Sequence, residues 1–595
     1  MSSAQAENQG IVGPALKSAL YYLTLAEKRK AVGMFALLVL SSLLDVFGLA
    51  TLVPVIMAAS RPGSVFQNKY SLWLYQTLGF QTERSFLVFL ILGLLVFFLL
   101  KNLFTTFINY QQVKFTAYLG LKIIEKQVDK HHNFPYLEYM RIGSAQLVHS
   151  TLGVPQAFIG NVIRQLFTFF QEIIIIAIIV VGILVYQPSL FIILMVVLVP
   201  ATALTYRALR TRSAKLGQEI DILRPISHAI LTDAFIGFID LKLANKQKFF
   251  KERLLANEKR FQNVEALTYL YGQLPVKVIE MVAIMAVVTI FLYSLFFSQN
   301  VTALVTTIGL FAAAAYRLMP SVNRLIIAMV ALKQFKFTYA NMQSYREYAE
   351  MQKPEQQLLP FNREIKFDNL TFTFPDTDKP VLDHVSFTVQ KGEKIGIIGS
   401  SGSGKTTLMN LLLRFYKEQE GAIRIDGQPL NDANLEAWYR LVGYVKQDTF
   451  LMDTTIRDNI TLMDAQVDEA RLAYAIEQAS LADFIAGLPE GVDTRIGERG
   501  ARLSGGQRQR IGIARALYKR TEVLVMDEAT SALDNETERE VNEAIGRLAH
   551  TDITIFIVAH RITTLRDCTR IYELRAGELY AEHRYEDLVN KILTA

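Results

Sequence analysis

The chain of 595 residues has one cysteine, Cys568. That excludes an intrachain disulfide framework and any metal site built from several thiolates. Net charge is also scarce: 62 Lys and Arg against 56 Asp and Glu leave +6, and no long basic tract concentrates it. The basic residues crowd particular loops of the hydrophobic half instead, which speaks for membrane orientation and against a nucleic-acid partner. The first thirty or so residues lack the apolar core of a cleaved signal peptide, so the first hydrophobic helix is expected to stay in the mature protein.

What is present is long apolar sequence, in a chain too long for one ordinary domain. Mean hydropathy is +0.24, high for a soluble protein. The apolar residues are concentrated before about residue 335, after which the composition is that of a soluble α/β domain. Runs long enough to cross a bilayer lie near 32–59, 85–110, 157–186, 189–206, 274–297 and 301–332. Short links, Tyr186-Gln187-Pro188 and Ser298-Gln299-Asn300, join the third run to the fourth and the fifth to the sixth. The segments between runs two and three, and between four and five, are long, basic and helical in period, with few Gly or Pro. They are expected to carry the membrane helices well into the cytoplasm, with both termini on that side. Ala234-Phe235-Ile236-Gly237-Phe238 within them is suited either to packing on the soluble domain or to the helical core. Residues 66–80, with Trp73 and Tyr75, read as an external interfacial helix, either in contact with lipid or simply anchored. The expected architecture is a six-helix membrane domain over 1–345, a polar linker over 346–362 and an α/β nucleotide-binding domain over 363–595.

The soluble half carries the chemistry. Ile395-Gly396-Ile397-Ile398 has a buried-strand pattern and feeds Gly399-Ser400-Ser401-Gly402-Ser403-Gly404-Lys405-Thr406, and an apolar helix follows. In such a loop the glycines let backbone N–H groups close on phosphates, Lys405 reaches the β- and γ-phosphates, and the Thr406 hydroxyl ligates Mg²⁺. A second apolar strand, Val523–Met526, ends in Asp527 and Glu528. There Asp527 is suited to the Mg²⁺ shell and Glu528 to polarising the attacking water. Strand candidates at Lys394–Ile398, Arg424–Ile425, Gly443–Val445, Val523–Met526 and Thr554–Val558 alternate with helical patterns, which argues for a largely parallel sheet.

About a hundred residues after the phosphate loop stands Leu503-Ser504-Gly505-Gly506-Gln507. Loop and turn together resemble the ATP-binding cassette (ABC) transporters, and the resemblance covers essentially the whole chain. It implies that the Ser504–Gln507 turn acts on ATP held by a second cassette, and hence a homodimer with two equivalent sites. By the same resemblance Thr407 contacts the α-phosphate and Gln447 belongs to the loop that senses Mg²⁺. Glu498-Arg499-Gly500 is similar to the loop that touches the cytoplasmic helix ends, Asp534 to a dimer-interface residue and His560 to the switch histidine at the γ-phosphate. The aromatic that stacks on adenine is commonly Tyr in this family; Phe374 is the candidate here, with Phe372 as the second choice.

The cargo must be read from the spans. An ionisable residue near mid-bilayer costs about 2.5–3.5 kcal/mol on insertion scales, so such residues usually face an interior. Lys101, Lys277, Arg317 and Arg324 are basic; Asp45, Glu172 and Glu280 are acidic. Arg317 and Arg324 share a helix face, roughly 10 Å apart, with Pro320 between them. The cations suit an anionic headgroup such as a pyrophosphate. Mutual neutralisation, as between Lys277 and Glu280, is the other reading. Tyr316–Arg324 and Asn68-Lys69-Tyr70 resemble segments of bacterial lipid-linked oligosaccharide flippases, with Lys101 and Lys277 where those proteins also carry basic residues. That resemblance implies a lipid-linked anionic substrate, membrane lipids around it and a bacterial inner membrane. A multidrug or general lipid exporter, and an ATP-gated channel or regulatory subunit, are the alternatives. No stretch ahead of the first apolar run is long enough for a protease domain, which points away from peptide maturation coupled to export.

Overall fold

The computed structural model describes residues 11–60, 69–186, 188–297, 301–350, 354–375, 377–527, 535–548, 552–559 and 561–593. They form two compact units: Met1–Phe134 with Arg141–Glu350, and Pro135–Met140 with Met351–Ala595.

The first unit is helical. Its long helices are Leu25–Ser60, Glu83–His132, Arg164–Tyr186, Pro188–Ile236, Gln247–Phe297 and Val301–Gln334. Glu83–His132 runs for 50 residues. At 1.5 Å per residue it is about 75 Å long, more than twice a hydrocarbon core of roughly 30 Å. Its ends are well specified. Thr82 caps the start by accepting from the Ser85 N–H, and Lys130 in the last turn complements the helix dipole at the finish. Among the described residues four helical stretches are long and apolar enough to cross a membrane: Leu25–Gly48, Glu83–His132, Ser144–Val185 and Gln247–Thr289.

The second inter-run segment is helical almost throughout, while the first is broken. After His132 the chain forms the short helix Tyr136–Ile142, turns at Gly143, and then passes through two π-helical turns, His149–Gly153 and Ile159–Ile163. Gly153 is needed there: a Cβ would stand 2.6 Å from Nδ1 of the buried His149, whose Nε2 meets Asp221 at 3.2 Å. Close helix approach also depends on Gly217, where a Cβ would fall 1.8 Å from the carbonyl oxygen of Gln334. Phe235, Ile236 and Phe238 are exposed, so this stretch is no part of the helical core. Lys69–Thr77 is a helix with Trp73 outward; residues 66–68, like the links at 187 and 298–300, lie outside the described residues.

The second unit holds two sheets. Its strands are β1 (Glu364–Phe372), β2 (Leu382–Gln390), β3 (Lys394–Ile398), β4 (Glu420–Ile425), β5 (Gln428–Pro429), β6 (Val442–Val445), β7 (Val523–Asp527), β8 (Thr554–Val558), β9 (Arg570–Arg575) and β10 (Glu578–His583). One sheet has the order β10-β9-β3-β8-β7-β6, parallel except for β10; the other, β2-β1-β4-β5, is antiparallel. Strands β7 and β8 are buried throughout and β3 nearly so, the continuous apolar run expected of a parallel sheet covered on both faces. The strand expected at Arg424–Ile425 belongs to the antiparallel sheet instead, and β1, β2, β5, β9 and β10 were not anticipated. Strands β1 and β2 each bury one face, with apolar residues alternating with polar ones. The buried Trp438 locks the layer behind β3 by donating from Nε1 to the Leu412 carbonyl at 2.8 Å. Leu359 and Phe361, in the polar stretch read as linker, are buried in this unit's core.

Candidate functional site

Strand β3 delivers the chain into the phosphate loop at the C-terminal edge of the parallel sheet. Ile397 pairs with Val558 on β8, and Val558 with Asp527 on β7, so Asp527 stands level with the start of the loop. Ligands in open α/β sheets bind at this edge. Gly399 and Gly404 are required by close approach. A Cβ on Gly399 would lie 2.3 Å from the Leu574 carbonyl oxygen, and one on Gly404 2.8 Å from that of Val381. Gly404 also has φ +102°.

Helix Lys405–Leu412 begins directly from this loop. Lys405 is 5% exposed, and its Nζ donates to the carbonyls of Gly399 at 3.0 Å and Ser400 at 2.9 Å. Ser403 and Thr407 are buried, whereas Ser400, Ser401, Gly402 and Thr406 lie open on the surface. The Thr406 hydroxyl, the Gln447 side-chain carbonyl and the Asp527 carboxylate are hard oxygen donors, and that chemistry fits Mg²⁺.

Ser504 caps helix Gly505–Tyr518 through a complete capping box: its hydroxyl accepts from the Gln507 N–H, and its own N–H donates to Gln507 Oε1 at 2.8 Å. Gly506 is buried under this turn. Two residues further on the same helix is Gln509, which the sequence reading passed over. It is buried, and its Nε2 donates to the carbonyl of Lys446 at 3.1 Å and to that of Gln447. The helix that carries the Ser-Gly-Gly turn therefore also holds the backbone of the Gln447 loop. The sequence signal was available: Gln509 lies on the Gln507-Arg508-Gln509-Arg510 run adjoining the motif.

Tyr444 is a second residue missed. Its hydroxyl is hydrogen-bonded to Asp527, and burial, followed by the Asp527 charge, pushes its pKa well above the ordinary tyrosine range. Of the two aromatic candidates for adenine, Phe372 is 3% exposed and lies flat on Tyr416, with centroids 5.2 Å apart. Phe374 is half-buried and meets Phe372 and Tyr416 edge-on, which leaves part of its ring open. Glu528, Asp534 and His560 lie outside the described residues.

In the helical unit three of the four named cations are paired. Lys101 Nζ is 2.5 Å from Asp45, and Lys277 is 3.2 Å from Glu280. Arg324 donates from Nε to Glu172. The Glu172 side chain is 4% exposed and that of Arg324 is 51%. The two terminal nitrogens of Arg324 take no partner among the described residues. Arg317 lies in helix Val301–Gln334, with its side chain outside the described set.

Fold and loop geometry together define an ATP-binding cassette joined to a helical, membrane-spanning domain. The family model for the ABC transporter matches residues 382–531. Curated relatives extend the match into the helices. The ATP-dependent lipid A-core flippase of Burkholderia orbicola (strain AU 1054) is 34% identical over 397 residues, 66% of each chain. A protein of the same name from Cupriavidus metallidurans is 32% identical over 409 residues, 66% of this chain and 67% of that one. The match to a third, from Saccharophagus degradans, spans 55% of its length. A solved bacterial Atm1-family ABC exporter with ATP bound shares the fold, with a TM-score of 0.78 over 95% of this chain and 97% of that one, at 23% identity. The chain belongs to the ABC transporters, as a half-transporter of the exporter fold that couples ATP hydrolysis to transport.

Proposed function

We propose that the chain is an ATP-driven flippase of a lipid-linked anionic substrate, a polyprenyl-pyrophosphate-linked oligosaccharide, working as a homodimer in a bacterial inner membrane with its termini cytoplasmic. Each cassette holds ATP with Gly399–Thr407 and stacks its base on Phe374. Thr406, Gln447 and Asp527 hold Mg²⁺, which neutralises charge on the phosphates. The Ser504–Gln507 turn of one copy and Asp534 complete the site of the other. Glu528 polarises the water, His560 contacts the γ-phosphate, and hydrolysis reopens the pair.

One observation carries the substrate assignment. Arg324 is anchored at Nε by the buried Glu172, while its side chain is half-exposed and its two terminal nitrogens take no partner among the described residues. That arrangement leaves a pre-oriented bidentate donor for a phosphate oxygen pair. The relatives named lipid A-core flippases support a lipid cargo. Lys101, Lys277 and Arg317 complete the proposed cationic set, with the first two in ion pairs that lower their net contribution.

A second reading, a general lipid or drug exporter, is favoured by a cavity of about 280 Å³ lined by Ile176, Leu198, Tyr206, Leu318, Val322 and Met329, apolar apart from the edges of Thr202 and Tyr206. ATP-dependent translocation of a fluorescent pyrophosphate-linked glycan in proteoliposomes, run beside a neutral phospholipid, separates the two. The glycan should move and respond to loss of the Arg324 fork. Equal glycan transport by the double variant Glu172→Gln/Arg324→Gln, which leaves no buried carboxylate unpaired, rejects the anionic-head assignment. Ion current without turnover would indicate a channel.

A further inference from the structure

Strand register places Tyr444 beside the strand that ends in Asp527. Tyr444 on β6 pairs with Val525 on β7. Side chains two apart on a strand share a face, so Asp527 lies on the same side of the sheet as Val525 and Tyr444. The Tyr444 hydroxyl donates to the Asp527 carboxylate across that face.

The ring behind that hydroxyl is itself fixed. Phe415 meets Tyr444 edge-on at 6.1 Å, and the Lys446 ammonium lies 5.6 Å from the Tyr444 centroid. Tyr136 stacks on Phe415 at 5.0 Å with planes 24° apart. Tyr136 belongs to Pro135–Met140, the one stretch from the helical half of the sequence that packs as part of the nucleotide-binding unit. Tyr136, Phe415, Tyr444 and Asp527 thus form a continuous chain of contacts.

We propose that Tyr444 is a positioning residue for the metal-binding carboxylate Asp527, and that Phe415 ties its ring to Tyr136, so that seating of Pro135–Met140 sets the metal site. This rests on the reading of Asp527 as a Mg²⁺ ligand. Gln447 is the family's sensor loop; the Tyr444 chain is a separate route that reaches the ion through its carboxylate ligand. A hydroxyl donated to the carboxylate restricts rotation of the carboxylate plane, and so the directions from which its oxygens could meet an ion. Supporting partners of this kind typically change metal affinity 10–100-fold when removed.

The test uses the purified full-length protein, with Mn²⁺ as the probe, read by electron paramagnetic resonance in the presence of the non-hydrolysable analogue AMP-PNP. Tyr444→Phe keeps the ring and its packing but removes the donor. It should weaken Mn²⁺ binding roughly tenfold, with AMP-PNP binding in EDTA unchanged. Tyr136→Ala should weaken Mn²⁺ binding in the wild-type background and add nothing in the Tyr444→Phe background. Unchanged Mn²⁺ affinity in Tyr444→Phe, or additive effects of the two substitutions, overturns the inference while wild type still binds Mn²⁺ with nucleotide. Wild type that binds nucleotide no better than Lys405→Ala overturns the ATP reading itself.

Discussion

Gln509 and Gln447 are joined by a hydrogen bond from the Gln509 side-chain amide to the Gln447 backbone carbonyl. Gln509 is buried on helix Gly505–Tyr518, whereas the Gln447 side chain is exposed on its loop. The bond ties the loop's backbone to helix Gly505–Tyr518. Replacing Gln509 with Leu leaves two loop carbonyls without their donor, which costs roughly 1–3 kcal/mol each where they are desolvated. Hydrogen exchange over 446–449 should accelerate in Gln509→Leu, and ATP turnover should fall with little change in nucleotide affinity. Unaltered exchange there would remove the clamp.

The phosphate loop tolerates no side chain at Gly404. Its φ of +102° and the Val381 carbonyl 2.8 Å from a built Cβ both oppose one. Gly404→Ala should abolish measurable ATP binding by titration calorimetry and lower the cassette's melting temperature. Lys405→Ala should spare the fold and cost at least about 1.5–3 kcal/mol of nucleotide affinity, the range for a hydrogen bond to a charged group.

The pair of Arg324 and Glu172 is asymmetric. Removing Arg324 strands a carboxylate 4% exposed, while removing Glu172 leaves a guanidinium that is already half in contact with its surroundings. Arg324→Ala should therefore destabilise the helical unit by about 3–5 kcal/mol, and Glu172→Gln by clearly less. Thermal unfolding in detergent, followed for both variants, ranks them; the reverse order would contradict the burial argument.

Asp426 receives three backbone N–H groups at the start of β1, from Asn362 at 2.6 Å, Arg363 at 2.9 Å and Glu364 at 2.8 Å. Partial burial works to raise its pKa, but these donors prevail and lower it. A carboxyl whose folded pKa lies below its unfolded value of about 3.9 contributes stability above that value. The contribution disappears as pH falls through the folded pKa. Asp426→Ala should cost about 1–2 kcal/mol at neutral pH, with the gap from wild type closing in acid. A gap independent of pH down to acid unfolding would show the donors do not act on the charged form.

The motifs read as nucleotide machinery were legible in sequence because they are local. Strand, glycine loop, Lys405 and Thr406 are contiguous, and so are Ser504 to Gln507 with their capping box. Burial in the parallel sheet also wrote itself into apolar runs such as Val523–Met526. The antiparallel β1 and β2 were passed over although Ile365 and Phe367, and Val385, Phe387 and Val389, alternate with polar residues as half-buried strands do. The break between Asn133 and Gly143 was hidden, since its short helix has ordinary helical composition.

By itself the sequence determined the class of machine, from a glycine-rich loop behind a buried strand and the long helices that precede it. Only tertiary structure decided which side chains meet across that order. Asp45 and Lys101, Glu172 and Arg324, Gln509 and Gln447, and Tyr444 and Asp527 come together from separate elements. Their pairing depends on helix packing and strand register, and neither is encoded in any one stretch of chain. A charge or hydroxyl shows its chemistry in sequence, but whether it is spent on a neighbour depends on a distance that folding alone sets.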